Sequence, residues 1–446
     1  MEETPIFDPR DSRYKTPYGA VAAGKAVRFT LRPPRSAGFT RAVLTARFES
    51  RTGDDVIHIY MPWTGLEGDR DMFSGVLPTE DYVGLVWYSF RLEGSNGTGQ
   101  TLEERQLTVY DGSEAVPAWF GEGCTYQIFP DRFRRTCVPD PTGMVGGRSV
   151  HTSWEEEPVY RPDIHGEVRN RDFFGGNLAG VLQKLPYLHD LGVDTLYFCP
   201  IFEAPENHRY GTGDYERIDP MLGSNEDFST LCRAAHKLGM RVIVDGVFNH
   251  TGFVSRYFNG DGFYPQPGAA QSQESPYYSW YNFRRWPDQY DSWWGIYSLP
   301  AVNERDPGYQ AYITGRKDSI IRRWLQAGAD GWRLDVADEL PDSFVHAIHT
   351  AVRETKPSAV VIGEVWEDGS TKIAYGVRRK HILGGHCDGL MNYPFRNGLL
   401  SFLLGEDAAL FREAMETLRE NYPPFAFYSA MNFLGTHDTP RILTLL

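Results

Sequence analysis

Gly331-Trp332-Arg333-Leu334-Asp335-Val336-Ala337-Asp338-Glu339 decides how the chain is read. Its first residues have the apolar character of a buried strand, except for Arg333 and Asp335. These two stand two apart and therefore share one face of a strand. Charge turned into an apolar strand needs a partner, because an unpaired buried charge is costly. Two readings of the pair stay open on these residues alone. Either Arg333 orients Asp335 and holds it ionised, as a carboxylate nucleophile requires, or the two form a plain buried salt bridge.

Outward from this stretch, strand-like and helix-like runs alternate. Strands are expected at 124–129, 194–199, 241–247, 331–336, 360–365, 389–393 and 431–435, with helices at 177–191, 224–238, 309–327, 340–355 and 408–421. Repeated β-then-α predicts a parallel sheet with helical crossovers. So many strands in succession predict an α/β fold of the (β/α)8, TIM-barrel type rather than an open doubly wound sheet. A doubly wound sheet would carry a glycine-rich phosphate loop after an early strand, and neither GxGxxG nor GxxxxGK[ST] occurs. The stretch 249–307 is long and rich in Gly, Pro, Tyr and Trp, so it reads as a small domain inserted after the third strand. The last expected strand ends near Asp438 and the sequence runs to Leu446. That predicts a barrel truncated before its eighth strand, with open edges and poor folding as an isolated piece.

Residues 1–117 have a different texture. Short β-like runs at 26–31, 43–48, 56–61, 83–92 and 107–110 are separated by turns such as Pro33-Pro34, Thr52-Gly53-Asp54 and Glu93-Gly94-Ser95-Asn96-Gly97. This spacing predicts an N-terminal β-sandwich, and Glu114-Ala115-Val116-Pro117 reads as a linker. The expected division is therefore a sandwich over 1–117, a barrel over 118–446 and an inserted domain over 249–307.

Catalytic groups of a barrel project from the C-terminal ends of several strands into one mouth. Those ends read Asp245-Gly246-Val247-Phe248-Asn249-His250, Gly363-Glu364-Val365-Trp366-Glu367 and Phe433-Leu434-Gly435-Thr436-His437-Asp438, besides the stretch around Asp335. Glu364 closes the apolar run Val360-Val361-Ile362-Gly363. Such surroundings keep a carboxyl protonated near neutrality, which suits a general acid; a barrel-rim or capping glutamate satisfies the same pattern. Asp438 adds a third carboxylate, able to stabilise positive charge, and His437 and His250 are candidates for hydrogen bonding to a ligand's hydroxyls.

Bulk properties exclude several classes. The formal net charge of -14 repels phosphate backbones, so no nucleic-acid partner is expected. No apolar run is long enough to predict a membrane span. The start Met1-Glu2-Glu3-Thr4-Pro5 lacks the basic and apolar regions of a signal peptide. The 5 cysteines are scattered and form no CxxC pair, which predicts neither a zinc site nor a disulfide framework, and points to the cytoplasm.

The segments DGVFNH (245–250), GWRLDVADE (331–339), GEVWE (363–367) and FLGTHD (433–438), in this order, resemble the signature regions of glycoside hydrolase family 13, the α-amylase family. The resemblance covers about residue 120 to the end. It implies a retaining enzyme acting on α-glucosidic bonds, with Asp335 as nucleophile, Glu364 as acid/base and Asp438 as transition-state stabiliser. It further implies that Arg333, His250, His437 and Trp366 contact the sugar, and that Tyr210, in Asn207-His208-Arg209-Tyr210-Gly211-Thr212, is a stacking tyrosine. The aromatic content of 14% suits a neutral sugar gripped by ring faces.

Leu299-Pro300-Ala301-Val302-Asn303, Cys199-Pro200-Ile201-Phe202-Glu203-Ala204-Pro205 and Met391-Asn392-Tyr393-Pro394-Phe395 are similar to segments of the neopullulanase, cyclomaltodextrinase and maltogenic amylase group. That likeness implies maltooligosaccharides, cyclodextrins or pullulan as substrates, a sandwich similar to a starch-binding module, and a homodimer formed through it. Departures are visible. The group commonly has Tyr-Asp-Thr at Tyr210-Gly211-Thr212 and Gly-Gly-Asp at Gly175-Gly176-Asn177. Its calcium loop is rich in Asn and Asp, whereas Arg135-Thr136-Cys137-Val138-Pro139-Asp140-Pro141 offers few hard oxygens, so no cofactor is expected and calcium is disfavoured. The alternatives are a glucanotransferase or debranching enzyme of the same family, or a non-catalytic glycan-binding protein on a truncated barrel. Loss of the catalytic carboxylates would favour the last, and all three carboxylates are present.

Overall fold

A computed structural model describes residues 5–50, 53, 55–95, 97–113, 116–164 and 166–446. The expected turn residues Thr52, Asp54 and Asn96, the linker positions Glu114 and Ala115, and most of the start scanned for a signal peptide lie outside the described residues. The chain packs as two compact units: Met1–Ala115 with Trp366–Phe433 and Leu446, and Val116–Val365 with Leu434–Leu445.

In the first unit, alternation of apolar and polar residues builds two sheets. One runs Lys15–Thr16, Ala26–Leu31, Arg70–Pro78, Trp63–Glu67, all neighbours antiparallel. The other runs Val21–Ala22, Arg105–Tyr110, Gly84–Gly94, Phe39–Phe48, Asp55–Met61. Val27, Phe29, Leu31, Phe73 and Leu77 of the first sheet share one core with Leu44, Ala46, Tyr88, Phe90 and Leu92 of the second. The Phe29 and Tyr88 ring centroids are 4.7 Å apart, and burying each such ring contributes roughly 1.5–3 kcal/mol. Trp63–Glu67 and Arg70–Pro78 are strands that the sequence reading missed, because Gly65, Gly68 and Gly75 break the run of β-formers. The burial of Arg70–Pro78 still alternates residue by residue along much of its length.

The compact units divide the chain differently from the expected boundaries, since Trp366–Phe433 groups with Met1–Ala115. Its contacts give the reason. Arg10 forks onto Glu413 at 2.7 Å and reaches Glu420 at 3.2 Å. Arg378 Nε donates to Glu49 at 2.9 Å, the Asp111 N–H donates to the Leu383 carbonyl at 2.8 Å, and the Tyr110 and Phe425 rings meet edge-on at 5.7 Å.

The second unit holds five parallel strands in sequence order: β1 (Thr125–Ile128), β2 (Thr195–Phe198), β3 (Arg241–Gly246), β4 (Gly331–Leu334) and β5 (Val360–Gly363). Every residue of β2, β4 and β5 is buried, as expected for strands covered on both faces. The crossovers carry α1 (Leu178–Asp190), α2 (Asn225–Lys237), α3 (Ile320–Ala327) and α4 (Asp342–Thr355). The Asn177 side chain caps α1 by accepting the Gly180 N–H at 2.8 Å, and Ser224 with Asp227 forms a capping box on α2. Gly176 lies where the chain passes so close to the Pro130 carbonyl that a Cβ would sit 2.0 Å from its oxygen, so only glycine fits.

Two expected elements are corrected. The helix at 309–327 breaks into Pro307–Gln310, a wider turn over Ala311–Gly315, and α3; Gly315 and the polar run Arg316-Lys317-Asp318 interrupt its apolar period. The strand expected at 431–435 is a single parallel bridge from Met431 to Met391, and residues 432–435 form no strand. The inserted stretch contains one short hairpin, Phe283–Arg285 with Gln289–Tyr290. Its Val254, Tyr257, Phe258, Trp280 and Tyr281 are buried, with Tyr257 stacked on Tyr215 at 5.4 Å and Trp280 against Tyr309 at 5.1 Å. Trp280 and Tyr281 are thus structural, whereas Trp294 is 76% exposed.

Candidate active site

Strands β3 and β4 bring opposite charges together, because Asp245 and Arg333 are register partners. Arg333 Nη1 donates to Asp245 Oδ1 at 2.9 Å and to Asp335 Oδ1 at 2.7 Å. Its Nη2 lies 2.9 Å from Glu364 Oε2. One fully buried guanidinium therefore serves three carboxylates delivered by the ends of β3, β4 and β5.

Just past β4 the chain turns sharply. Val336 has φ 41°, in the left-handed region that a β-branched residue rarely enters. The turn aims the Val336 N–H at Glu364 Oε2, 2.7 Å away. Strain of this kind costs on the order of 1–3 kcal/mol and collects at functional sites. It fixes Glu364 relative to Asp335 by a backbone bond instead of a flexible side chain.

The electrostatics follow from crowding. Burial, with Glu364 and Asp245 nearby, pushes the Asp335 carboxyl well above the usual carboxylate range against the pull of Arg333. This differs from the expectation that Arg333 simply holds Asp335 ionised; one cation is shared too widely. Burial and Glu364 raise Asp438 to about 6. Burial lowers His250 to about 3 and, with Arg333, His437 to about 4. Both imidazoles are therefore neutral near pH 7, with one nitrogen to donate and one to accept.

Tyr210 and His437 stack at 5.1 Å with planes 8° apart. Tyr210 and Tyr197 both donate to Asp245 Oδ2, at 2.9 and 2.7 Å. Gln127 Nε2 meets His437 Nδ1 at 2.8 Å, and His437 Nε2 lies 3.3 Å from Asp438 Oδ2. His250 stacks on Trp293 at 5.0 Å. Asp335, Glu364, Asp438, Tyr210, His250, Arg333 and His437 thus all belong to the unit with the barrel strands. Trp366 belongs to the other unit, where it stacks on Tyr393 at 4.0 Å and is 42% exposed. The sequence reading missed the parts played by Asp245, Tyr197 and Gln127. Their signal was a polar residue at an interior position of an otherwise apolar strand.

A family profile described as "Alpha amylase, catalytic domain" matches residues 127–446. Among curated relatives, the chain is 33% identical over 500 residues to an amylopullulanase of Thermoanaerobacterium saccharolyticum, covering 98% of this chain and 38% of that protein. It is 31% identical to neopullulanase 2 of Thermoactinomyces vulgaris over 96% of this chain and 71% of that protein. Among solved structures, the type III pullulan hydrolase from Thermococcus kodakarensis aligns at TM-score 0.61 and 27% identity, covering 98% and 74% of the two chains. A cyclic α-maltosyl-(1→6)-maltose hydrolase from Arthrobacter globiformis aligns at 0.62 and 30% identity, covering 74% and 69%. The chain spans 38%, 26% and 33% of the lengths of three amylopullulanases that it matches. By its profile match and by its likeness to neopullulanase 2, the chain belongs to the α-amylase family.

Proposed function

We propose that the chain hydrolyses α-glucosidic bonds in maltooligosaccharides, cyclodextrins or pullulan by double displacement with retention. Asp335 attacks the anomeric carbon while Glu364 protonates the leaving oxygen. Glu364 then takes a proton from water, and the resulting attack releases the sugar from Asp335. Asp438 stabilises the positive charge that develops on the ring, and Arg333, His250, His437 and Tyr210 bind the sugar.

The observation that carries this reading is the single Arg333 guanidinium shared by Asp245, Asp335 and Glu364. Carboxyls crowded around one buried cation do not all ionise near neutrality. The cluster therefore shares a proton among its carboxyls, and the scheme requires Asp335, which burial pushes up, to be ionised when it attacks.

No cofactor enters this scheme. The Asn177 side chain is committed to capping α1 and to Thr136, and the Asn249 amide lies 3.2 Å from His250 Nδ1. Dialysis against EDTA is expected to leave the rate unchanged; a rate lost on dialysis and restored by calcium contradicts this. Among the described residues no helix is long and apolar enough to cross a membrane. All five cysteines are free thiols, which supports a cytoplasmic location. Val56, Tyr60 and Trp63, on the sandwich, are each about half exposed, which supports a homodimer formed through that face.

The test is product analysis after incubation with β-cyclodextrin, pullulan and maltotriose. Release of shorter oligosaccharides from at least one of them is expected. Absence of release from all three contradicts the proposal.

A further inference from the structure

Glu206 lies on the segment after β2, four residues before Tyr210. We propose that Glu206 is a positioning residue whose carboxyl occupies the space left by the missing side chain of Gly211, and so fixes the loop that presents Tyr210 to the sugar. The proposal rests on the function given above.

A Cβ on Gly211 would lie 2.7 Å from Glu206 Oε2 and 2.8 Å from Oε1. On its other side a Cβ on Gly252 would lie 2.5 Å from the Gly211 carbonyl oxygen, and the Gly252 N–H donates to the Thr212 carbonyl at 2.9 Å. The Gly211 backbone is thus held between a carboxyl and a second stretch of chain. Neighbouring residues are fixed as well. The Arg209 N–H donates to the Glu206 carbonyl at 3.2 Å, with Arg209 in the left-handed region at φ 62°, and the Tyr210 N–H donates to His208 Nδ1 at 3.1 Å. Tyr210 itself is held by Asp245 and stacked on His437. A larger residue at 211 would have to displace the Glu206 carboxyl from this seat.

The carboxyl is an unusual filler. Its Oε2 is shielded from solvent and has no hydrogen-bond partner among the described residues. Burial raises it to about 7, although the N–H groups of Glu206 and Gly211 and, at longer range, Arg171 and Arg148 favour the charged form. Arg148 is committed to Asp219, at 2.7 Å, and Arg209 pairs with the same carboxylate. On the loop itself His208 is kept neutral by burial, as is His250 on the Gly252 side. Ionisation therefore puts a charge into an enclosed seat beneath the Tyr210 loop with no cation in contact among the described residues. A stacking ring binds ground and transition states alike, so disturbing it changes KM more than kcat.

Glu206→Gln keeps the shape and cannot ionise. Between pH 6 and 8 the wild-type KM for maltotriose is expected to rise about threefold while that of E206Q stays level. The pH profile of kcat, to which Glu206 contributes no reacting group, stays the same in both. Gly211→Ala raises KM about tenfold with little change in kcat, and E206A/G211A recovers most of that loss, because removing the carboxyl makes room for the new methyl. Equal KM slopes in wild type and E206Q, or no recovery in the double variant, overturn the proposal. A stability measurement separates it from the functional reading. A carboxyl raised in the folded state stabilises at low pH and loses that contribution as pH rises through about 7. The Tm of E206Q minus that of wild type should therefore increase by about 3 °C from pH 5 to pH 8. If the wild type cleaves no α-glucan, the function proposed above fails, and this Tm difference still decides on Glu206: a difference independent of pH overturns its role.

Discussion

Asp335→Asn is expected to lower kcat on maltotriose roughly 10⁴-fold while leaving the fold intact. The substitution keeps the shape of the side chain and removes the attacking oxygen. Arg333 keeps Asp245 and Glu364 as partners, so its charge remains satisfied. Stability should not fall. Asp335 is pushed above its ordinary range by burial and by its carboxylate neighbours. Its ionised form in the folded protein therefore costs stability as pH rises, and the neutral amide removes that cost. D335N should equal or exceed the wild type in Tm, with the larger margin at pH 8 than at pH 5. An active D335N contradicts the nucleophile assignment; an inactive but unfolded one contradicts the account of the charge cluster.

The second large effect is on stability. Arg333→Met removes the guanidinium paired with Asp245, Asp335 and Glu364 while roughly preserving side-chain volume. Breaking a buried pair by removing one partner typically destabilises by about 3–5 kcal/mol, because the remaining charge is left uncompensated. Tyr197 and Tyr210 still donate to Asp245, so part of the cluster survives. The loss should be smaller at pH 5 than at pH 8, since protonation removes the uncompensated charge. Urea unfolding measures this directly. An unchanged midpoint at both pH values would mean that Arg333 does not hold the carboxylates together.

Much of the architecture was legible in local pattern. The strand runs around 124–129, 194–199 and 360–365 are apolar and sharply bounded, and each contains a strand of the structure. Asn177 and Ser224 announce the starts of α1 and α2 by side-chain chemistry that acts within three residues. What local pattern could not supply was long-range packing. Nothing within Trp366–Phe433 signals that Arg10 and Glu49 bind it from the far end of the chain. Gly65, Gly68 and Gly75 hid two strands whose stability comes from the core beneath them rather than from propensity.

The site divides the same way. Arg333 and Asp335 were legible because charge in an apolar strand is conspicuous. Asp245 and Tyr197 are equally buried, but they become meaningful only when parallel pairing puts Asp245 beside Arg333. The left-handed turn at Val336 had no signal in the sequence, since a β-branched residue argues against such a conformation. The Glu206–Gly211 fit is likewise a matter of two chain segments meeting, although the glycine after Tyr210 marked the place.

The central claim is that Asp335 and Glu364 cleave an α-glucosidic bond in two displacements. The anomeric form of the first sugar released, followed by proton NMR during the earliest turnover of maltotriose and before mutarotation, tests it most directly. Two inversions at the anomeric carbon restore the starting configuration, so the account predicts the α-anomer. A β-anomer formed first would mean a single displacement by water, and would contradict it.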